Sequence, residues 1–140
     1  MRLRPWIVIP VLAALLLAGC RLNPSPSAAS AAKPVVLTTF TVLADIARSV
    51  AGDHLQVESI TKGAEIHGYE PTPADVARAT KASLILDNGL NLEVWFQQFV
   101  EQVRVKHVVV SQGVTPIDIA EDAYAGKPNP HAWMSPTNVR

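Results

Sequence analysis

From residue 35 onward, the chain alternates between apolar runs that suit strands and stretches with the apolar period of a helix. Residues 35–40 form a short run rich in β-branched side chains, which is typical of a buried strand. Residues 55–60 alternate between apolar and polar side chains, residues 84–86 and 108–110 are short apolar runs, and these three segments predict three more strands. The pattern therefore predicts four short strands separated by helices.

Two of the intervening helices are indicated mainly by their apolar stripes. The first begins at Thr41, a typical N-cap residue, has apolar positions over residues 42–50, and ends at Gly52, which suits a helix C-terminus. The third has a wide apolar face over residues 92–103. Both stripes predict helices that cover a sheet.

The second helix, over about residues 72–81, is marked by its opening residues. Thr72 followed by Asp75 is the pattern of a capping box, and Pro73 suits the first helical position. A serine followed by a proline at residues 135–136 predicts one more helix start.

Strands that alternate with helices through short loops indicate βαβ units. The fold class is therefore predicted to be α/β, with a mostly parallel four-stranded sheet flanked by helices. In such sheets, ligands bind outside the carboxyl ends of the strands. We therefore look for chemistry in the loops that follow the strands.

The charge balance excludes one class of partner. The chain has 140 residues, with 12 basic and 12 acidic side chains and a formal net charge of zero. A nucleic-acid-binding surface would normally show a basic excess, so no nucleic-acid partner is expected.

The first 19 residues have the composition of an export signal. Arg2 and Arg4 precede an apolar run that is shorter than the ~20 residues needed for a permanent transmembrane helix. Residues 1–19 are therefore predicted to be a signal peptide, and the rest of the chain is expected to be extracytoplasmic.

Cys20 is the only cysteine, and it follows small residues directly after the apolar run. This context resembles a bacterial lipobox, which implies that Cys20 is lipidated and attaches the protein to the membrane. Residues 20–34 are rich in serine, proline and alanine and predict a flexible tether. No second cysteine is present for a disulfide, so the folded part must depend on a packed core.

Two of the four histidines lie where a ligand site is expected. His54 follows a glycine and an aspartate in a predicted turn, and His107 lies at the basic start of the fourth strand, so both are interpreted as surface residues. His67 follows the second strand, and His131 follows the fourth strand through a longer connection. Both can reach the same rim of a parallel sheet.

The surroundings of these two histidines suit metal binding. Each is followed within two residues by an aromatic side chain, Tyr69 or Trp133, which could exclude water. Prolines stiffen both loops, and a rigid loop can hold an imidazole at the ~2.0–2.2 Å of a metal–nitrogen bond. Two imidazoles are half of a metal site, but no compact metal motif such as HExxH is present.

Four segments resemble a known family. They are residues 67–75 (HGYEPTPAD), 38–45 (TTFTVLAD), 88–93 (NGLNLE) and 129–136 (NPHAWMSP). Together with the lipobox, they resemble the metal-binding solute-binding lipoproteins of zinc, manganese and iron ABC importers, cluster A-I. One departure is Ile66, where the family often has proline.

The resemblance implies a two-lobed periplasmic metal-binding fold with the metal held between the lobes. Residues 35–140 would be the N-terminal lobe and would end at the start of the helix that joins the lobes. By match to the motifs, His67 and His131 would be the metal ligands of this lobe. The other two ligands, usually a glutamate or histidine and then an aspartate, would come from a second lobe outside these 140 residues.

The resemblance also implies a transport role. The protein would be a monomer that captures a divalent transition metal and delivers it to an ABC importer permease. Zinc-specific members often carry a histidine-rich loop before the second ligand, and residues 118–129 contain no histidine. We therefore expect Mn²⁺ or Fe²⁺ as the transported ligand, with Zn²⁺ possible, although affinity order alone would favour zinc.

Two alternative functions remain, one that uses the same histidines and one that uses aromatic side chains. A metal-dependent extracytoplasmic enzyme would need a third protein ligand and a bound water, but loop hydrogen bonding and helix capping explain the nearby Glu70 and Asp75. A surface adhesion lipoprotein would use Tyr69, Trp95 and Trp133 as a contact surface, but Trp95 fits the apolar stripe of the third helix. We therefore expect a metal carrier and not an enzyme.

Overall fold

A computed structural model describes residues 32–63 and 65–139 of the chain. In chain order, the elements are β1 (Val35–Thr38), α1 (Thr41–Ala51), β2 (Gln56–Ser59), α2 (Pro73–Ala79), β3 (Leu84–Asp87), α3 (Phe96–Val103) and β4 (His107–Val109). Two 3₁₀ helices follow, at Asp122–Tyr124 and Ala132–Met134. The predicted signal peptide, the predicted lipidation site Cys20 and most of the predicted tether lie outside the described residues.

All four strands are parallel and lie in the order β2-β1-β3-β4. The chain passes from β1 to β2 on one side and then crosses to β3 on the other side of β1. The crevice between the carboxyl ends of β1 and β3 is therefore the point where the strand order reverses. The predicted fold class, a parallel four-stranded sheet flanked by helices, is confirmed.

The main core lies on the face of the sheet that α2 and α3 cover. Leu37 of β1 and Ile85 of β3 are almost fully buried there against Phe99 of α3. Burying one such side chain stabilises the fold by about 1.5–3 kcal/mol. On the other face, α1 packs on β1 and β2 and borders an apolar groove of about 380 Å³ over β3. No helix among the described residues is long and apolar enough to cross a bilayer.

The predicted cap of the first helix is wrong by one residue. The N-cap is Phe40, in an extended conformation and without a side-chain hydrogen bond, and Thr41 is already helical. β1 ends at Thr38, whose hydroxyl donates to the carbonyl of Phe40 at 3.1 Å. The helix therefore begins after a buried aromatic side chain and has no polar cap. Val50, predicted on the apolar stripe, is 85% exposed.

The third helix begins four residues later than its apolar stripe predicts. Gly89, Leu90 and Asn91 all have positive φ angles of 53° to 78°, which a right-handed helix cannot contain. At Gly89 a Cβ atom would lie 2.4 Å from the Val109 side chain, so only glycine fits there. Leu92 is nevertheless fully buried and Trp95 partly buried before the helix begins, which explains the helix-like pattern.

The second helix and its capping box are confirmed. Thr72 accepts a hydrogen bond from the backbone of Asp75, whose carboxylate accepts one from the backbone of Thr72, and Pro73 is the first helical residue. The helix ends at Ala79, slightly earlier than predicted. The predicted helix start at residues 135–136 is a hydrogen-bonded turn in which Asn138 N donates to Ser135 O.

Candidate metal centre

The structure brings the two predicted histidines together at the carboxyl ends of the strands. The ring centroids of His67 and His131 are 5.7 Å apart, and the ring planes are inclined at 68°. Both side chains are exposed to solvent. Each belongs to a separate loop, the first histidine loop (residues 65–71) and the second histidine loop (residues 128–135).

The first histidine loop is fixed next to its imidazole by two hydrogen bonds. The Trp95 indole N–H donates to the carbonyl of Ile66 at 2.8 Å, and Gly68 N donates to the Glu65 carboxylate at 3.0 Å. The Ile66 side chain is buried. These contacts hold the backbone on both sides of His67 without contacting its ring.

Asp75 anchors the far end of the same loop to α2. Its carboxylate accepts hydrogen bonds from the Tyr69 hydroxyl at 2.8 Å and from the Thr72 backbone at 2.8 Å. The Thr72 hydroxyl and Arg78 Nη2 also donate to it, each at 2.7 Å.

These donors decide the charge state of Asp75. Burial alone would raise the pKa of Asp75, but the hydrogen bonds from Thr72, Arg78 and Tyr69 outweigh it and hold this pKa well below its usual range. Burial, with the hydrogen bond to Asp75, raises the pKa of Tyr69. The anchor is therefore an ionised carboxylate with a neutral phenol bound to it.

The second histidine loop is tied to the turn after β3. The side-chain amide of Asn88, which is buried, donates to the carbonyls of Pro130 and Gly89, each at 2.9 Å. The bond to Pro130, the residue before His131, places Pro130 over the crevice between β1 and β3.

The turn that carries Asn88 is organised by a second buried carboxylate. Glu93 Oε1 accepts hydrogen bonds from the Thr39 hydroxyl at 2.6 Å and from Asn88 N at 2.7 Å, and Gly89 N donates to Oε2 at 3.3 Å. Burial raises the pKa of Glu93, although the bonds from Thr39 and Asn88 oppose the rise. No charged donor contacts Glu93 among the described residues, which distinguishes it from Asp75.

The His131 ring has its own polar partner and an aromatic neighbour. Its Nδ1 lies 2.8 Å from Asn129 Oδ1, and its centroid lies 5.2 Å from the Trp133 ring. Trp133 in turn packs on Phe40, with centroids 4.8 Å apart. Trp133 therefore contacts the His131 ring as expected, although that ring stays exposed to solvent, whereas Tyr69 packs on Trp95 at 5.3 Å.

A small apolar cluster lies beneath both loops. Leu92 is fully buried at its centre, and Ile66 and Trp133 bring the two loops into contact with it. The other members are Phe40, Leu43, Leu86 and Trp95. The two loops therefore pack on the same apolar cluster, while their polar anchors are separate.

The other two histidines lie away from this centre. His54 is in the predicted turn before β2, where its backbone N donates to Ala51 O. His107 is not simply a solvated residue at the start of a strand, since its Nδ1 lies 3.1 Å from the buried Asp87. Burial raises the pKa of Asp87, and the contact with His107 opposes the rise.

Three residues of the centre were not predicted as functional from the sequence. Asn88, Glu93 and Asn129 lie in segments 88–93 and 129–136, but polar residues beside glycine and proline are also typical of ordinary turns. Their role becomes visible only when the contacts across the crevice are known. The one local signal in the sequence was the Asn-Pro-His segment, which places Asn129 two residues before His131.

The centre offers two imidazoles and no complete protein cage. Within residues 32–63 and 65–139, no group of three or more histidine, cysteine, aspartate or glutamate side chains could hold a metal ion together. An ion bound by both rings would take its remaining ligands from solvent or from protein outside these residues. That His67 and His131 are metal ligands stays a prediction.

Comparisons with known proteins agree on one family. Residues 36–140 match the family described as zinc-uptake complex component A, periplasmic. The iron-binding protein YfeA of Yersinia pestis is 55% identical over 84% of this chain and 37% of its own length. The manganese ABC transporter substrate-binding lipoprotein scaA of Streptococcus gordonii is 37% identical over 95% of this chain and 46% of its own length.

A solved structure agrees with the fold. The Mn-bound periplasmic metal binding protein from candidatus liberibacter asiaticus has a TM-score of 0.66 and 38% sequence identity, covering 76% of this chain and 40% of that one. The chain therefore spans less than half the length of the relatives named here.

Proposed function

Because the chain belongs to the zinc-uptake complex component A family of periplasmic metal-binding proteins, we propose that it captures a divalent transition metal for transport. His67 and His131 bind the ion, and the protein delivers it to the permease of an ABC importer. One relative named above is a substrate-binding lipoprotein of an ABC transporter, which favours carriage over catalysis.

The main support for this proposal is the short distance between the His67 and His131 rings. Centroids 5.7 Å apart allow each imidazole to contribute one nitrogen to the same ion at about 2.0–2.2 Å. The rings are exposed, while the backbone beside each is held by the partly buried Trp95 or the buried Asn88. A site that is rigid but open suits an ion that must be bound and later released.

Two imidazoles alone make a weak site. The relatives are more than twice as long as this chain, and we propose that the missing ligands come from that further length. This chain by itself then binds metal weakly, with solvent completing the coordination sphere.

We propose manganese or iron as the cargo, with zinc as the alternative. The relatives named above include an iron-binding protein, a manganese transport lipoprotein and a Mn-bound structure, whereas the family description mentions zinc. Imidazole suits all three metals, and the affinity order alone favours zinc. Selection of manganese or iron would therefore depend on geometry and metal supply.

We propose that the protein works outside the cytoplasm as a lipid-anchored monomer. Relatives are named lipoproteins of ABC transporters, which supports an extracytoplasmic location. Lipid on Cys20 would hold the protein at the membrane, and residues 20–34 would let it reach the permease.

Calorimetric titration of Mn²⁺, Fe²⁺ and Zn²⁺ into the chain tests the ligand assignment. We expect weak binding that is lost in both His67→Ala and His131→Ala. His54→Ala is the matched control, since His54 lies in the turn before β2, away from the carboxyl ends of the strands. Submicromolar binding that persists unchanged in both site variants would reject the assignment.

Growth in metal-limited medium tests the transport role. A strain that lacks the gene should grow poorly, and added Mn²⁺ or Fe²⁺ should restore its growth. Full growth of the deletion strain at low metal, with reduced attachment to surfaces, would favour an adhesin instead.

A further inference from the structure

A single oxygen of Asn129, Oδ1, contacts two atoms of His131. The backbone N–H of His131 donates to Asn129 Oδ1 at 3.0 Å, and the ring nitrogen Nδ1 of His131 lies 2.8 Å from the same Oδ1. The His67 ring has no hydrogen bond among the residues that the structure describes. The two imidazoles of the centre are therefore held differently.

The two contacts together determine where the ring hydrogen of a neutral His131 lies. A backbone N–H can only donate, so the atom that it meets must be the amide oxygen of Asn129 and not its NH₂ group. An amide oxygen can only accept, so Nδ1 must carry the hydrogen. A neutral imidazole has one ring hydrogen, and Nε2 is then left with a free lone pair.

We propose that Asn129 is a positioning residue that fixes His131 as the Nδ1–H tautomer and makes Nε2 its metal-binding nitrogen. The tautomer assignment stands on the contacts alone, and its importance for metal binding rests on the proposed function. Partners of this kind orient metal-binding histidines in many proteins, and their loss typically costs 10–100-fold in metal affinity.

Asn129 can do this because its own backbone is fixed. Asn129 N donates to Ile117 O at 2.8 Å, and Ile119 N donates to Lys127 O at 2.9 Å in the same antiparallel segment. On the other side, Pro130 is held by Asn88 at 2.9 Å. The amide oxygen therefore meets the ring from a backbone that is bonded on both sides.

A simpler interpretation is that Asn129 only closes a turn. An asparagine oxygen that accepts from the N–H two residues later forms a common Asx-turn, which needs no contact with a ring. The two interpretations differ in one measurable property, the ring tautomer of His131. A purely structural asparagine would not change that tautomer.

Imidazole ¹⁵N–¹H correlation spectra of the metal-free protein at about pH 8, where histidine is ordinarily neutral, measure this tautomer. We expect His131 to be the Nδ1–H form in the wild type, and Asn129→Ala to shift it toward Nε2–H. Asn129→Asp, which keeps an acceptor oxygen, should retain Nδ1–H. The His67 ring serves as an internal reference in every spectrum.

Asn138→Ala is the matched control, because Asn138 bonds to the neighbouring carbonyl of Ala132 at 2.9 Å and has no bond to the ring. It should leave the His131 tautomer unchanged. An Nε2–H form in the wild type, or Nδ1–H retained in Asn129→Ala, would overturn the proposal.

Mn²⁺ titration of the same variants connects the tautomer to the metal. Asn129→Ala should bind Mn²⁺ about 10–100-fold more weakly than the wild type, and Asn129→Asp should recover the affinity. If the tautomer changes but the affinity does not, Asn129 still fixes the ring and the assignment of His131 as a ligand fails. The two proposals can therefore fail separately.

Discussion

The two histidine loops reach the same centre but are anchored by opposite electrostatic means. The first loop is held by Asp75, a carboxylate with a charged donor, Arg78, at 2.7 Å and a lowered pKa. The second loop is held through Asn88, whose turn is organised by Glu93, a carboxylate with neutral donors and a raised pKa. Burial raises the pKa of both carboxyl groups, but only around Asp75 do the hydrogen bonds, one of them from a cation, outweigh it.

The two loops share their apolar contacts but not their hydrogen-bonded anchors. Both pack on the cluster around Leu92, so loss of the core would disturb both. Their hydrogen-bonded anchors have no residue in common. Variants of the anchors should therefore disturb one loop at a time, and amide hydrogen exchange can show which one.

The largest effect is expected from Asp75→Ala. It leaves Tyr69, Thr72 and Arg78 without their shared acceptor and removes a helix cap, which should lower the free energy of unfolding by about 2–4 kcal/mol. Urea denaturation measures this loss, and Asp53→Ala in an exposed turn is the control.

The same variant should change the acid sensitivity. Because the folded pKa of Asp75 is lowered, its contribution is present above the ordinary aspartate value of about 3.9 and is lost as the pH falls toward the folded value. Asp75→Ala should lack this part of the acid destabilisation. Two results would contradict a separate anchor for the first loop. One is equal acid sensitivity of the variant and the wild type, and the other is amide hydrogen exchange that becomes faster in both loops alike.

The next effect in size is expected from Asn88→Ala. It leaves the buried carbonyl of Pro130 without its donor, which should cost about 1–3 kcal/mol and speed exchange in the second histidine loop. Asn138→Ala removes a comparable bond that is exposed and should cost less. A change confined to the first histidine loop would refute the separation.

The sequence predicts the frame of this centre but not its anchors. Short apolar runs and helical stripes are sufficient to predict four parallel strands, and the strand-end rule brings His67 and His131 to one rim. The capping box at Thr72 is also readable, because its partner is only three residues away. These features depend on local spacing.

The features that were missed depend on contacts between distant residues. Thr39 and Glu93 are 54 residues apart, and Asn88 and Pro130 are 42 apart, so no local pattern reveals that they meet. A buried glutamate cannot be distinguished from a solvated one by its neighbours in the chain. The start of α3 was also missed, because Leu92 and Trp95 pack in the core at helical spacing although the helix begins only at Phe96.

A smaller effect is expected from Tyr69→Phe. The ring can still pack on Trp95, but the hydroxyl bond to Asp75 is lost, which should cost about 0.5–1.5 kcal/mol. Tyr124→Phe, on a tyrosine that is 61% exposed, is the matched control in the same urea denaturation series. A loss as large as that of Asp75→Ala would mean that the phenol, and not the capping box, carries the anchor.

The smallest effect at neutral pH is expected from Glu93→Gln. The amide oxygen can still accept from Thr39 and Asn88, and removal of a buried charge offsets the lost bond to Gly89, so stability should stay within about 1 kcal/mol of the wild type.

The pH dependence distinguishes Glu93→Gln from the wild type more clearly than its stability at one pH. Because the folded pKa of Glu93 is raised, the folded state holds a proton that the unfolded chain has lost, and stability falls as the pH rises from about 4.3 through the folded value. The variant should lack this fall, which urea denaturation across that range measures. Glu101→Gln, on the exposed side of α3, controls for net charge. Parallel curves for Glu93→Gln and wild type would mean that folding does not raise the pKa of Glu93, and this would contradict the contrast with Asp75.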